Sequence, residues 1–167
     1  MTHERFATLV WLIPEEASQS RLRSLIVDLA RRYDAPSFDP HLTLGRVADQ
    51  GWKEIRVETG PITLAASGII TSQVFTKTLF LRFAPTPALQ TLRSSLGMNT
   101  GGYDPHLSLL YCKLPPGEGK RLAASIDLEL DRVTFDRFSI VRCPDPTTTR
   151  EGVEAWERLS SGALPGV

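Results

Sequence analysis

Apolar and polar positions change period along the chain, and each change predicts an element. Phe6–Ile13 is a short apolar run, rich in β-branched and aromatic residues and closed by Pro14, which predicts a buried strand. Over Arg21–Tyr33, Leu22, Leu25, Ile26, Leu29 and Ala30 recur at three- and four-residue steps with Arg and Asp between them. That is the period of an amphipathic helix, with Ser18 or Ser20 as its expected cap. After Pro36 and Pro40, His41–Val47 alternates as a half-buried strand does, and Ile62–Thr71 reads as another strand. The order then repeats. Lys77–Phe83 alternates, a helix follows Pro85–Pro87 on Leu89, Leu92 and Leu96 with Gly97 to end it, and His106–Tyr111 is a strand. A short helix over Lys120–Ile126, closing strands at Val133–Val141 and Val153–Leu159, and a frayed tail from Ser160 complete the expectation. Strand–helix–strand–strand, given twice, predicts an α+β fold of two pseudo-symmetric lobes, each an antiparallel sheet with outer helices. The lobes are expected to interleave in a single domain, 1–167, from approximate repeats 1–72 and 76–160.

Composition narrows the partners. The 167 residues carry 19 Lys+Arg against 19 Asp+Glu, so the formal net charge is zero. Grip on duplex nucleic acid through many phosphates calls for a basic footprint that this balance lacks, whereas one small anion in a local pocket needs only a donor or two. The 2 cysteines, Cys112 and Cys143, are too few for a disulfide scaffold and lack metal-ligand spacing, so reduced thiols in a cytoplasmic protein are expected. Ala7–Ile13 is far shorter than the roughly 20 residues of a membrane span, and no membrane or obligate protein partner is expected.

The chemistry lies in a repeat. Residues 38–44 read Phe-Asp-Pro-His-Leu-Thr-Leu and residues 103–109 read Tyr-Asp-Pro-His-Leu-Ser-Leu, so two of the 3 histidines occupy matched places. On a strand, His41 and Thr43 point one way and Leu42 and Leu44 the other, as do His106 and Ser108 against Leu107 and Leu109. Each motif thus offers an imidazole and a hydroxyl on one face. If the halves pack about a pseudo-twofold axis, two of each meet in one groove. Histidine titrates near neutrality, so a neutral copy can take a proton from water attacking phosphorus while a protonated copy gives one to the departing alkoxide. The hydroxyls of Thr43 and Ser108 can donate to the non-bridging phosphate oxygens. No cofactor and no metal enter this scheme.

Blander readings stand beside it. A duplicated core strand would keep the repeat without chemistry, but it gives no reason for polar side chains on the same face of both copies. A zinc site lacks third and fourth ligands at a suitable spacing. His3 is expected to face solvent.

The paired His-x-Thr/Ser-x motifs, His41-Leu42-Thr43-Leu44 and His106-Leu107-Ser108-Leu109, resemble the signature of the two-histidine (2H) phosphoesterase superfamily. Within it the chain looks most like the plant and yeast cyclic phosphodiesterases, through Val10-Trp11-Leu12-Ile13-Pro14 and Pro105-His106-Leu107-Ser108-Leu109-Leu110-Tyr111. The resemblance implies a bilobal fold with the site in the groove between lobes. It also implies metal-independent opening of a ribose cyclic phosphate, either a nucleoside 2′,3′-cyclic phosphate or ADP-ribose 1″,2″-cyclic phosphate, to a phosphomonoester. It assigns His41 and His106 as acid and base, with His106 the favoured base, and Thr43 and Ser108 as phosphate ligands. Two roles are open for the nearby aromatics: Trp11 stacks a base or ribose and Tyr111 donates to the phosphate, or both complete the core. The short stretch between Val47 and Pro61 leaves little room for a lid. The rival functions are processing of 2′,3′-cyclic or 2′-5′ linked RNA ends, with Arg46, Lys77 and Arg82 as the local cations, and a non-catalytic nucleotide-binding module.

Overall fold

The computed structural model describes residues 5–99 and 101–165. The expectation for His3 falls outside them. In chain order the elements are β1 (Phe6–Pro14), α1 (Glu16–Tyr33), β2 (Leu42–Val47), β3 (Ile62–Thr71) and β4 (Leu79–Phe83). They continue with α2 (Pro87–Ser95), β5 (His106–Leu110), α3 (Glu118–Ser125), β6 (Arg132–Pro144), α4 (Arg150–Glu154) and β7 (Glu157–Ala163). The fold is α+β, with every strand pairing antiparallel.

The two lobes share a strand. One array runs β2-β1-β6-β7 and the other β5-β4-β3-β6. Arg132–Phe135 of β6 pair with β3, and from Phe135 onward β6 pairs with β1. The repeats therefore exchange strands: β3 leaves the first to pair with β4, and β6 and β7 leave the second to join β1. The arrays meet again at the motif strands, where β2 and β5 touch through the single register pair Leu42↔Leu107.

The leucines of the motifs explain why these strands sit where they do. Leu42, Leu44, Leu107 and Leu109 are fully buried in one core with Leu22, Ile26 and Leu29 of α1. Their alternate positions are thereby turned away from the core.

Because β2 and β5 separate after one register pair, β2 has edge carbonyls that need partners. Side chains supply them. Tyr103 Oη donates to Thr43 O at 2.8 Å, and Arg93 Nε donates to Leu44 O at 2.8 Å with its guanidinium 3.7 Å from the Tyr103 ring centroid. Tyr103→Phe strands the Thr43 carbonyl in a half-buried setting, so a loss of about 1–2 kcal/mol is expected in denaturant unfolding. A stability equal to that of the parent would overturn this account.

Four local expectations are corrected. The helix expected from a Ser18 or Ser20 cap begins at Glu16 instead, with Glu15 at the cap position and no side-chain cap bond. Glu15 N is tied to Thr134 O at 2.8 Å, so β6 sets the start, and the acidic first turn suits the helix dipole. Lys77 lies not in a strand but in a 3-10 turn, Phe75–Lys77, with Thr78 Oγ1 bonded to Cys112 O at 2.6 Å. Val153 is helical: Thr149 caps α4 by accepting from Gly152 N at 3.1 Å, and the closing strand starts only at Glu157. Ser160 to Ala163 are not frayed, because β7 pairs with β6 there and Leu164 beyond them is buried. Gly97, by contrast, ends α2 as expected, with φ +75° just beyond the cap.

Candidate active site

A cavity of about 360 Å³ opens between the two motif strands and is lined by Trp11, His41, Thr43, His106, Ser108 and Tyr111. All six site residues named from the sequence thus come together. Trp11 pairs across the ladder with Thr43, which puts it on the face shared by Thr43 and His41.

The motifs position their imidazoles in the same way. His41 Nδ1 lies 2.7 Å from Asp39 O, and His106 Nδ1 lies 2.8 Å from Asp104 O. A carbonyl can only accept, so both Nδ1 atoms carry the proton and both Nε2 lone pairs are left for the cavity. The Asp-Pro-His sequence builds this, because the aspartate two residues back supplies the carbonyl. Each aspartate side chain is held by two cations: Asp39 by Arg23 at 2.8 Å and Arg158 at 3.3 Å, Asp104 by Lys77 at 3.3 Å and Arg82 at 3.1 Å. Burial pushes the Asp104 carboxyl upward, but the bonds from Arg82 and Lys77 outweigh it and hold it below its ordinary value. These half-exposed pairs are worth roughly 0–1 kcal/mol each, and their effect is to fix the turn before each histidine.

The two imidazoles differ in surroundings. His41 is 5% exposed, and its ring stacks on Trp11 with centroids 3.6 Å apart at 14°. Trp156 and Phe38 close on it edgewise at 5.5 and 6.2 Å. Burial drives its pKa down to about 4, the Asp39 carbonyl opposing and a charged His106 adding to the effect. His106 is half-buried. Burial also lowers its pKa, the Asp104 carbonyl opposes, and the charges of Lys77 and Arg82 lower it further. Both rings are therefore neutral at pH 7 in the free protein.

Ser108 Oγ donates to Thr76 O at 2.7 Å. Its single proton reaches a phosphate oxygen only after the hydroxyl rotates from that carbonyl. Tyr111 lines the cavity and also packs as a core aromatic, stacked on Phe38 at 4.1 Å and Phe75 at 6.0 Å. Burial raises its pKa, so it stays a protonated donor. Trp11 spends one ring face on His41.

The sequence missed several wall residues. Trp156, Thr76, Cys143 and the turn 144–147 also line the cavity, as does Lys77, one of the cations named from the sequence. Trp156 arrives from the far end of the chain and is held by Trp156 Nε1 donating to Thr147 Oγ1 at 3.2 Å; no repeat or motif marks it. Arg46 lines the cavity too, ion-paired with Asp145. Cys112 and Cys143 are free thiols, and burial pushes the Cys143 thiol up to about 12. Among the described residues no three His, Cys, Asp or Glu side chains gather as metal ligands would, and no helix is long and apolar enough to cross a membrane.

Comparison with known proteins bears on the same features. No family model matches the chain. A cyclic phosphodiesterase from Arabidopsis thaliana is 27% identical over 166 residues, covering 90% of this chain and 91% of that one. Among solved structures, E. coli LigT in complex with 3′-AMP superposes with a TM-score of 0.56 at 16% identity, over 96% of this chain and 99% of that one. A structure described as a phosphoesterase gives 0.55 at 15% identity, over 96% and 99%. At such identities these structures speak for the fold. With two matched His-x-Thr/Ser-x motifs meeting in one cavity, the chain is similar along nearly its whole length to a cyclic phosphodiesterase and shares the fold of E. coli LigT.

Proposed function

We propose that the protein hydrolyses a ribose cyclic phosphate to a phosphomonoester, without a metal, by paired histidine acid–base catalysis. The observation that carries this reading is the pair of imidazoles lining one cavity with Nδ1 already bonded to a carbonyl and Nε2 unspent, together with the Thr43 and Ser108 hydroxyls. His106, the more open ring, takes a proton from water as the water oxygen bonds to phosphorus. The nearby charges of Lys77 and Arg82 oppose its protonation and suit it to be the base. His41 gives a proton to the ribose oxygen as that P–O bond breaks. One bond forms, one breaks, and one water is consumed.

His41 starts neutral, so its proton comes with the substrate. A phosphate anion beside a buried imidazole favours the imidazolium strongly, because few waters screen the pair. Phosphate ligands are then expected to bind with uptake of a proton and to weaken as pH rises through neutrality.

A small substrate fits the cavity's charge. Arg46 is paired with Asp145, and Lys77 and Arg82 with Asp104, so the cations expected to serve an RNA end at this cavity already face carboxylates. The name of the Arabidopsis thaliana relative and the complex of E. coli LigT with phosphate agree with a phosphate pocket.

The test is product analysis with a chelator present, on adenosine 2′,3′-cyclic phosphate and ADP-ribose 1″,2″-cyclic phosphate. Opening of at least one to a monoester is expected. Saturable binding with no product after long incubation would favour the non-catalytic module instead.

A further inference from the structure

A second cavity of about 390 Å³ lies on the same face of the first array as the catalytic pocket, and three arginines from three elements converge on it. Ladder registers fix the face. Trp11 pairs with Ser139 and Ile13 with Arg137, and Ile13, Ser139 and Arg137 line this second cavity while Trp11 lines the first. Two residues along β1, about 7 Å, thus separate the two linings. On β7 the register shifts between Ile140↔Ser160 and Val141↔Arg158, leaving Leu159 unpaired. That bulge resets the alternation, so Arg158 and Ser161 both reach the cavity.

Positive charge is in excess there. Arg23, Arg137 and Arg158 line the cavity with Asp39 as the one lining carboxylate, and Asp39 is shared between Arg23 at 2.8 Å and Arg158 at 3.3 Å. Arg137 bonds Asp136 through Nε at 3.2 Å, and its Nη2 donates to Pro14 O at 2.7 Å and Gln19 Oε1 at 2.6 Å. Its Nη1 is not spent in these bonds. The three guanidiniums meet two carboxylates, Asp39 and Asp136, which leaves one positive charge over. A planar guanidinium with free N–H groups is the side chain suited to phosphate, and the Ser139 and Ser161 hydroxyls add neutral donors.

We propose that this arginine-lined cavity binds a phosphate group. Asp39 joins it to the catalytic pocket, since its side chain faces the arginines while its carbonyl holds His41. The phosphate has two sources: the substrate itself, one nucleotide away from its cyclic end, or a separate anion such as a nucleotide polyphosphate.

Titration calorimetry with inorganic pyrophosphate tests the site without turnover. One binding event is expected to survive His106→Ala and to weaken about tenfold in Arg137→Gln and in Arg158→Gln. Arg158 is half-exposed with Asp39 as its partner, so that variant keeps the test sound if Arg137→Gln misfolds through loss of its Pro14 and Gln19 bonds. Pyrophosphate binding unaltered in Arg158→Gln and in folded Arg137→Gln would overturn the proposal. Kinetics then separate the sources. With a dinucleotide ending in a 2′,3′-cyclic phosphate and the matching mononucleotide, a tenfold fall in the ratio of their kcat/KM values assigns the site to the substrate's own phosphate. An unchanged ratio with lost pyrophosphate binding assigns it to a separate anion. Only this second arm rests on the catalytic reading, so an inactive protein leaves the calorimetric result standing.

Discussion

His106→Ala lowers kcat/KM for a nucleoside 2′,3′-cyclic phosphate by about 10²–10⁴, the usual worth of a positioned proton acceptor. No neighbour can take its place. Burial holds Tyr111 protonated and pushes the Cys143 thiol up to about 12, so neither is a free base at pH 7. His41→Ala is expected to cost a similar factor, and the double variant little more than either single one, because the two rings serve one step. The roles separate with a substrate whose leaving oxygen is replaced by sulfur. A thiolate departs without help, so this substrate restores turnover to His41→Ala and not to His106→Ala. Unimpaired turnover of the natural oxygen ester by both variants would remove the catalytic pair from the mechanism, and rescue of His106→Ala alone would exchange the roles.

Acid unfolds the protein partly through His41. Its folded pKa of about 4 lies below the ordinary histidine value of 6.5, so between these limits the unfolded chain binds the extra proton. Stability from this group is full above pH 6.5 and declines as pH falls, by about 2 kcal/mol at pH 5 and about 3 kcal/mol at pH 4. Carboxylates titrate in the same range, so the measurement is a difference. Denaturant unfolding of the parent and of His41→Phe, which keeps an aromatic ring against Trp11, is compared from pH 7 to pH 4. The gap is expected to shift by about 3 kcal/mol in favour of the variant at the acid end. Parallel stability curves would show that burial does not hold His41 neutral. Inorganic phosphate should shrink the gap, by favouring the imidazolium in the native state.

The parts of this site carried by local pattern were legible in the sequence. Period-two alternation placed His41 with Thr43 and His106 with Ser108, and the buried leucines between them bear this out. Local pattern also found β1, β3 and α2 to within a residue or two at most ends. Exchange of strands between the repeats has no local signature, because β3 reads alike whether it joins β2 or β4. Trp156 was hidden for the same reason: its neighbours Val153 and Ala155 imitate the alternation of a strand, and the cap at Thr149 overrides it. Zero net charge was a sound guide to the catalytic pocket but averaged away the arginines of the second cavity. Arg23, Arg137 and Arg158 are scattered over the chain and come together only when β6 and β7 leave their own repeat for β1.

That exchange also constrains how the protein admits a substrate. β6 is hydrogen-bonded to β3 at one end and to β1 along the rest, so one continuous ribbon spans both lobes. A clamshell hinge between them would have to break ladder bonds within β6 itself. Entry and release therefore fall to the rim, where the turn 144–147 and Trp156 border the cavity. The catalytic pocket is thus walled by a strand that belongs to both lobes.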